Sequence, residues 1–267
     1  MKDFAPRTLG RTGLAVGPLG VAAAYGAPAR SFEAAFDRGC NYFYYGAMRR
    51  GGMKTAIKNL MGQGKRDKMV IAVQSFARTP FLVEASLRKA LSSLSIEQAD
   101  VLILGWHNKP PSPALMDKAA GLKEKGMVRF LAVSSHHRPL YPQLAADGRM
   151  DIFHLRYNAA HPGAEKDVFP LLPKENRPGI VVFTSTCWGH LLNPKKMPPG
   201  QAPPTAADCY RFVLTNPDVN ACVCGPKTDA EMQGALLALD QGPMNDEELA
   251  RMRAIGAHVH GRHGRFF

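Results

Sequence analysis

Eight times along the chain, a short and continuous apolar run is followed by a stretch with helical spacing. The runs are Leu19 to Ala24, Asn41 to Tyr45, Met69 to Val73, Asp100 to Leu104, Phe130 to Val133, Ile152 to Arg156, Gly179 to Thr184 and Ala221 to Cys224. Segments such as MVIAV, DVLIL and GIVVF do not alternate between apolar and polar residues, as a strand with one wet face would. Continuous runs belong to parallel strands covered on both faces. Parallel neighbours need a crossover, and the intervening segments supply one. In Pro80 to Leu94, for example, Leu82, Ala85, Leu87, Ala90, Leu91 and Leu94 approximate helical spacing. Eight such units in 267 residues predict the α/β class and a (β/α)8 barrel, as one domain over residues 1–267. A doubly wound sheet is the competing arrangement, weakened because no GxGxxG follows the first run.

The pattern also makes predictions at its edges. Thr8-Leu9-Gly10 and Leu14-Ala15-Val16 flank Arg11-Thr12-Gly13, which reads as an N-terminal β-hairpin plugging the barrel floor. Ser31 reads as a helix N-cap, and Ala164 to Leu172 as a helix. Asn245 to Gly256 reads as a last helix with Asn245 as N-cap and Glu248 at the capping-box position. The final HVHGRHGRFF reads as a frayed end, with His258 and His260 solvated.

Composition narrows the class. With 45% apolar and 21% charged residues the chain is globular rather than disordered. The longest mostly apolar stretch, Val16 to Ala29, is interrupted by Gly17, Pro18, Gly20, Gly26 and Pro28 and falls short of the ~20 residues of a membrane span. The opening MKDFAPRTLG lacks the apolar core of a secretion signal. The five cysteines, Cys40, Cys187, Cys209, Cys222 and Cys224, lack CxxC spacing; they read as buried thiols of a reducing cytoplasm, not as a metal site. The net charge of +12 is scattered, with no long basic run and no interleaved aromatics. It argues for an acidic small molecule or for solubility rather than for nucleic acid. Nothing speaks against a monomer. In a (β/α)8 barrel the chemistry sits at the C-terminal mouth. Candidate loops there are His107 to Pro113 and the proline-rich Asn193 to Pro204.

LGRTGLAVGPLG, AFDRGCNYF, RDKMVIA and SLRKALSSLSIEQADVLIL resemble the aldo/keto reductase family, as do KGMVRFLAVSS, GIVVFTSTCWGHLL and PPTAADCYRFVLTNPDV. The resemblance runs in order over nearly the whole chain. It implies a (β/α)8 barrel and NADPH-dependent reduction of a carbonyl, with hydride going to carbon and a tyrosine giving the proton.

The catalytic positions depart from that pattern. Tyr44 takes the aspartate slot, Arg49 the slot of the proton-donating tyrosine, Gln74 that of the lysine, and Gly105 that of the histidine. Losing one member of a buried Asp–Lys pair would strand a charge, at ~3–5 kcal/mol. Here both members give way together to neutral groups. Tyr44, Tyr45, Arg49, Gln74 and His107 are therefore the candidate catalytic residues. His107 shares a face with Gly105 if the fourth strand continues that far, and is otherwise a solvent-facing loop residue. Arg49, always charged and fork-shaped, suits an anionic substrate better than proton donation.

The resemblance also marks candidate cofactor positions. Ser134-Ser135 stand where the family holds the nicotinamide amide, His154 replaces a glutamine, and Thr184 replaces the tyrosine that stacks under the nicotinamide. Ser185 remains, as does Gly225-Pro226-Lys227-Thr228, whose backbone N–H groups and Lys227 suit a 2′-phosphate. His136, Arg156, Tyr157, Asn158, Cys187 and Trp188 are mouth residues without an assigned role. The resulting expectation is an NADP(H)-dependent, aldo/keto reductase-like oxidoreductase acting on a small, anionic carbonyl compound with a rearranged site. A redox-neutral enzyme (elimination, cyclisation or isomerisation) and a catalytically silent small-molecule-binding protein are the alternatives.

Overall fold

The computed structural model describes residues 4–46 and 50–262. Two short antiparallel strands, β1 (Arg7–Thr8) and β2 (Ala15–Val16), form the N-terminal hairpin. The barrel follows: β3 (Leu19–Ala22), β4 (Tyr42–Tyr45), β5 (Val70–Ser75), β6 (Ala99–Leu104), β7 (Val128–Ser135), β8 (Ile152–Arg156), β9 (Gly179–Phe183) and β10 (Ala221–Cys224). Each pairs in parallel with the next, and β10 closes on β3. The helices are α1 (Ala29–Asp37), α2 (Gly51–Gly62), α3 (Pro80–Leu94), α4 (Pro113–Glu124), α5 (Leu140–Asp147), α6 (Ala164–Asp167), α7 (Ala206–Thr215), α8 (Asp229–Gln241) and α9 (Asp246–Arg262). All eight predicted strands and the hairpin are present.

Side chains alternate along each strand between two apolar compartments. The interior takes Ala22, Tyr42, Val70, Ala72, Val101, Ile103, Ala132, Ile152, Val181 and Ala221. Leu9 and Val16 of the hairpin join that cluster and plug its floor. The outward residues meet the helices in a larger cluster that includes Phe43, Tyr45, Leu102, Phe153 and Phe212. Near the floor, the buried Asp100 carboxylate accepts the Ile71 N–H at 2.8 Å and faces Arg129 at 2.9 Å and Arg66 at 3.0 Å. All five cysteines are free and buried. Among the described residues, no helix is long and apolar enough to cross a membrane.

Three local expectations are corrected. Helix α1 starts two residues before Ser31, with Pro28 at its cap, and the Ser31 hydroxyl instead donates to Asp229. The stretch from Ala164 is a single turn, α6, followed by a 3-10 turn over Phe169–Leu171. Pro170 in that stretch lacks the amide a continuing helix needs. Helix α9 does start from an Asn245–Glu248 capping box, but it runs on to Arg262 rather than ending at Gly256. Gly256 is a point of close approach, since a Cβ there would strike the backbone of Ala159. Met252 and Ile255 before it and Val259 past it form one buried stripe. His258 and His260 therefore belong to a docked helix; the remainder of the tail lies outside the described residues.

Candidate active site at the barrel mouth

Strand alternation decides which predicted residues reach the mouth. Tyr44 and Gln74 point inward at the ends of β4 and β5, and the Tyr44 hydroxyl donates to Gln74 Oε1. Gln74 Nε2 lies 3.5 Å from Ser134 Oγ, which accepts the Trp106 N–H at 2.9 Å. The amide of Gln74 also fills the space over Gly105, where a Cβ would come within 2.6 Å of Nε2. Two of the positions expected to hold ions thus carry a neutral, hydrogen-bonded chain. Burial raises the Tyr44 pKa above the ordinary tyrosine value, and its proton is committed to Gln74. Tyr44 is consequently a poorer acid than a free phenol.

Tyr45 is also corrected. It points outward into the helix layer, fully buried, with its hydroxyl 3.2 Å from Ser93 Oγ. Arg49 lies outside the described residues. Strand β6 ends at Leu104, so His107 stands on the following loop. It is nevertheless buried rather than solvent-facing, held by its N–H to the Ser134 carbonyl at 2.8 Å. Arg78 donates toward His107 Nε2 at 3.3 Å and to the Trp106 carbonyl at 2.7 Å. Burial, and then the Arg78 charge, push the His107 pKa down to about 4, so this ring is neutral at neutral pH.

The expected cofactor residues divide the same way. Ser134 faces inward. Ser135 faces outward, where its Oγ accepts the His137 N–H at 2.8 Å. His154 is sealed inside the barrel, 1% exposed, with Nε2 2.7 Å from the Tyr42 hydroxyl. Burial alone lowers its pKa to about 3. Ser135 and His154 therefore stand away from the mouth surface. Thr184 sits at φ 58°, a strained setting for a β-branched residue, and Ser185 beside it is buried. Thr228 is the N-cap of α8 and accepts the Glu231 N–H at 3.2 Å. The Lys227 N–H donates to the Glu231 carboxylate at 2.7 Å, and Asp229 pairs with Arg30. This helix N-terminus already binds a carboxylate of its own chain, so the backbone cradle expected for a phosphate is closed. The Lys227 side chain is exposed beside it.

A cavity of about 710 Å³ lies on the other half of the mouth. Trp106, His136, His161, Cys187, Trp188 and His260 are among its walls. The His136 ring stacks on Trp188 at 6.1 Å between centroids and stands edge-on to Phe183 at 5.4 Å. His260 of α9 meets His161 edge-on at 5.3 Å. Burial, with Arg156 nearby, lowers His136 and His161 to about 4. Cys187 Sγ is 3.7 Å from His161 Nδ1, and that same nitrogen is 3.2 Å from Asn158 Oδ1. Burial raises the Cys187 pKa, so the pair is a neutral thiol beside a neutral imidazole rather than an activated nucleophile. No cluster of described residues has the arrangement of a metal site. Trp106, Cys187 and Trp188 all adopt left-handed backbone, at φ 58°, 51° and 53°. Strain of this kind persists where surrounding structure enforces it, and it gathers at ligand sites.

Trp106, His161, His190 and Val259, all on this cavity, carry no local sequence pattern that assigns them a role. The signal for His161 was its spacing from Asn158, whose Oδ1 accepts the His161 N–H at 2.9 Å in a tight turn. Val259 lies beyond Gly256, in the part of α9 that a helix ending at that glycine leaves out.

No protein-family model matches the sequence, and no curated protein matches it. Among solved structures, an aldo-keto reductase of Bacillus halodurans in its holo form superposes with a TM-score of 0.77 at 17% identity, covering 94% of this chain and 96% of that one. Its apo form gives 0.77 at 16%, with the same coverage. An aldo/keto reductase of Klebsiella pneumoniae in complex with NADP and acetate gives 0.74 at 16%, covering 95% and 96%. The chain thus shares, over nearly its whole length, the barrel fold of these aldo-keto reductases.

Proposed function

We propose that the protein is an aldo/keto reductase-like oxidoreductase that binds NADP(H) across the mouth and acts on a small carbonyl compound in the aromatic cavity. The observation that carries this reading is the cavity itself. It is large enough for a flat ring, walled by Trp106, Trp188 and His136, and set in a barrel shared with a protein that holds NADP. When bound, the nucleotide supplies a hydride. The chain's residues do the rest. The indoles of Trp106 and Trp188 offer aromatic walls to a planar ring, and the exposed Lys227 offers a charge to a 2′-phosphate. Glu231 opposes that phosphate, so the preference for NADPH over NADH is modest.

Proton delivery is the weak part of this site. Tyr44 is locked to Gln74, and His107 is neutral and directed at Arg78. The carbonyl oxygen takes its proton from a neutral imidazole of the cavity or from solvent, and both are weak acids. A second reading, redox-neutral chemistry or silent binding, is favoured by the closed N-terminus of α8. Calorimetric titration with NADPH and NADH separates the two. Saturable heat with NADPH supports the oxidoreductase; no heat with either nucleotide leaves the second reading.

A further inference from the structure

One buried charge in the described structure has no counter-charge. Arg156 ends β8 and is 8% exposed. Strand alternation turns it inward, in register with Phe183 of β9. Its guanidinium lies 6.0 Å from the centre of the Trp188 ring. Among the described residues its Nη1 is buried without a hydrogen-bond partner. The groups that act on its charge are Arg138, Cys187 and Tyr141, none of them a carboxylate, and Arg138 is itself paired with Asp167 at 2.7 Å. Arg156 in turn acts on His136, His161 and Cys187, three residues of the cavity wall. Its guanidinium faces the Trp188 part of that wall, and among the described residues no Asp or Glu lines the cavity.

A second orphan lies beside it. His136 Nδ1 is also buried without a partner, and its ring, like the Arg156 guanidinium, rests against Trp188. Unpaired buried polar atoms are rare, and two together mark a place that a ligand oxygen or water completes. A neutral acceptor would satisfy the hydrogen bonds but would leave the cation uncompensated. A carboxylate does both: it accepts from Arg156 Nη1 and His136 Nδ1 and neutralises the charge. The flat rings above it fix the rest of the molecule.

We infer that Arg156, with His136, anchors the carboxylate of a planar, conjugated monocarboxylate whose body lies among Trp106, Trp188 and His136. The inference rests on the mouth cavity being the substrate site. It adds the substrate class and a specificity-determining residue, Arg156, that the resemblance does not supply.

The chain's only two tryptophans, Trp106 and Trp188, both line this cavity, so intrinsic fluorescence reports on it. The probes are trans-cinnamate and its uncharged isostere cinnamamide, followed by calorimetry and tryptophan emission. Cinnamate is expected to bind about 10- to 100-fold more tightly than cinnamamide, the range set by charge-assisted hydrogen bonds. Arg156→Met should abolish that preference and leave cinnamamide affinity unchanged. Ligand-free Arg156→Met should melt no lower than the parent, because an uncompensated buried cation has been removed; a structural arginine would make it melt lower. Equal affinities for the two probes, no binding of cinnamate, or an Arg156→Met variant that keeps the preference would each overturn the anchor. Nucleotide titration reads the oxidoreductase proposal separately. Cinnamate bound through Arg156 without any nucleotide binding removes that proposal and keeps the anchor, and the converse removes only the anchor.

Discussion

His154 offers a test of the buried electrostatics that requires no knowledge of the ligand. Its ring is sealed in the barrel and hydrogen-bonded to Tyr42, and burial lowers its pKa from 6.5 to about 3. In the unfolded chain the ring takes a proton near its ordinary value, while the folded ring resists it. The unfolded state therefore binds the extra proton between those values. The stability tied to the neutral ring is complete above the unfolded pKa and is lost as pH falls toward the folded one. The loss is about 1.4 kcal/mol per pH unit below the unfolded pKa, or about 2 kcal/mol at pH 5. Such a loss is a sizeable part of the ~5–15 kcal/mol that holds an ordinary domain together. His154→Gln removes the titration and keeps an amide partner for the Tyr42 hydroxyl. Urea unfolding at pH 7 and pH 5 should show the parent losing about 2 kcal/mol more than the variant on acidification. All other groups titrate in both proteins and cancel in the comparison. Equal losses in parent and variant would refute the argument that this imidazole is held neutral.

Three further outcomes are expected. Lys227→Ala should weaken NADPH more than NADH, by ~1.5–3 kcal/mol, while Glu231→Gln should strengthen NADPH selectively; equal shifts for both nucleotides, measured by calorimetry, would take the 2′-phosphate away from this loop. Nitrobenzaldehyde should be reduced slowly, because a missing general acid costs ~10²–10⁴ in rate; a steady-state turnover typical of aldo-keto reductases would show that the locked Tyr44–Gln74 pair does not matter. Asp100→Asn should lower stability by ~1.5–3 kcal/mol, since it removes the charge-assisted hydrogen bonds to Arg129 and Arg66, which themselves stay partly solvated; thermal unfolding unchanged from the parent would contradict that reading of the floor.

The barrel was legible because strand burial on two faces leaves a mark in every run, from Leu19 to Cys224. The hairpin was legible from Arg11-Thr12-Gly13 between two apolar triplets. The site was legible only in part. The neutral pair of Tyr44 and Gln74 and the inward Ser134 follow from strand parity. Tyr45 and Ser135 sit one residue away from those positions, and period-two alternation turns them out of the mouth. His154 has the right parity but lies too deep, a matter of height along the strand rather than of face. The closing of the Lys227 loop depends on Glu231 folding back one helical turn, which an equally good reading of Gly225 to Thr228 as a phosphate cradle does not reveal. The cavity escaped because its walls come from separate loops and from the end of α9. No local pattern joins Trp106, His161, Trp188 and His260.

The central claim is that NADP(H) binds across the mouth beside the aromatic cavity, and the two tryptophans of that cavity allow it to be tested in place. Their emission overlaps the absorption of the reduced nicotinamide, so a nicotinamide bound at the edge of the cavity, within transfer range of Trp106 and Trp188, quenches them and gains sensitised emission. The account predicts saturable quenching on titration with NADPH, with sensitised nicotinamide emission that falls in Trp188→Phe and in Trp106→Phe. Unchanged tryptophan emission over the whole titration, in a protein shown to be folded, would contradict it.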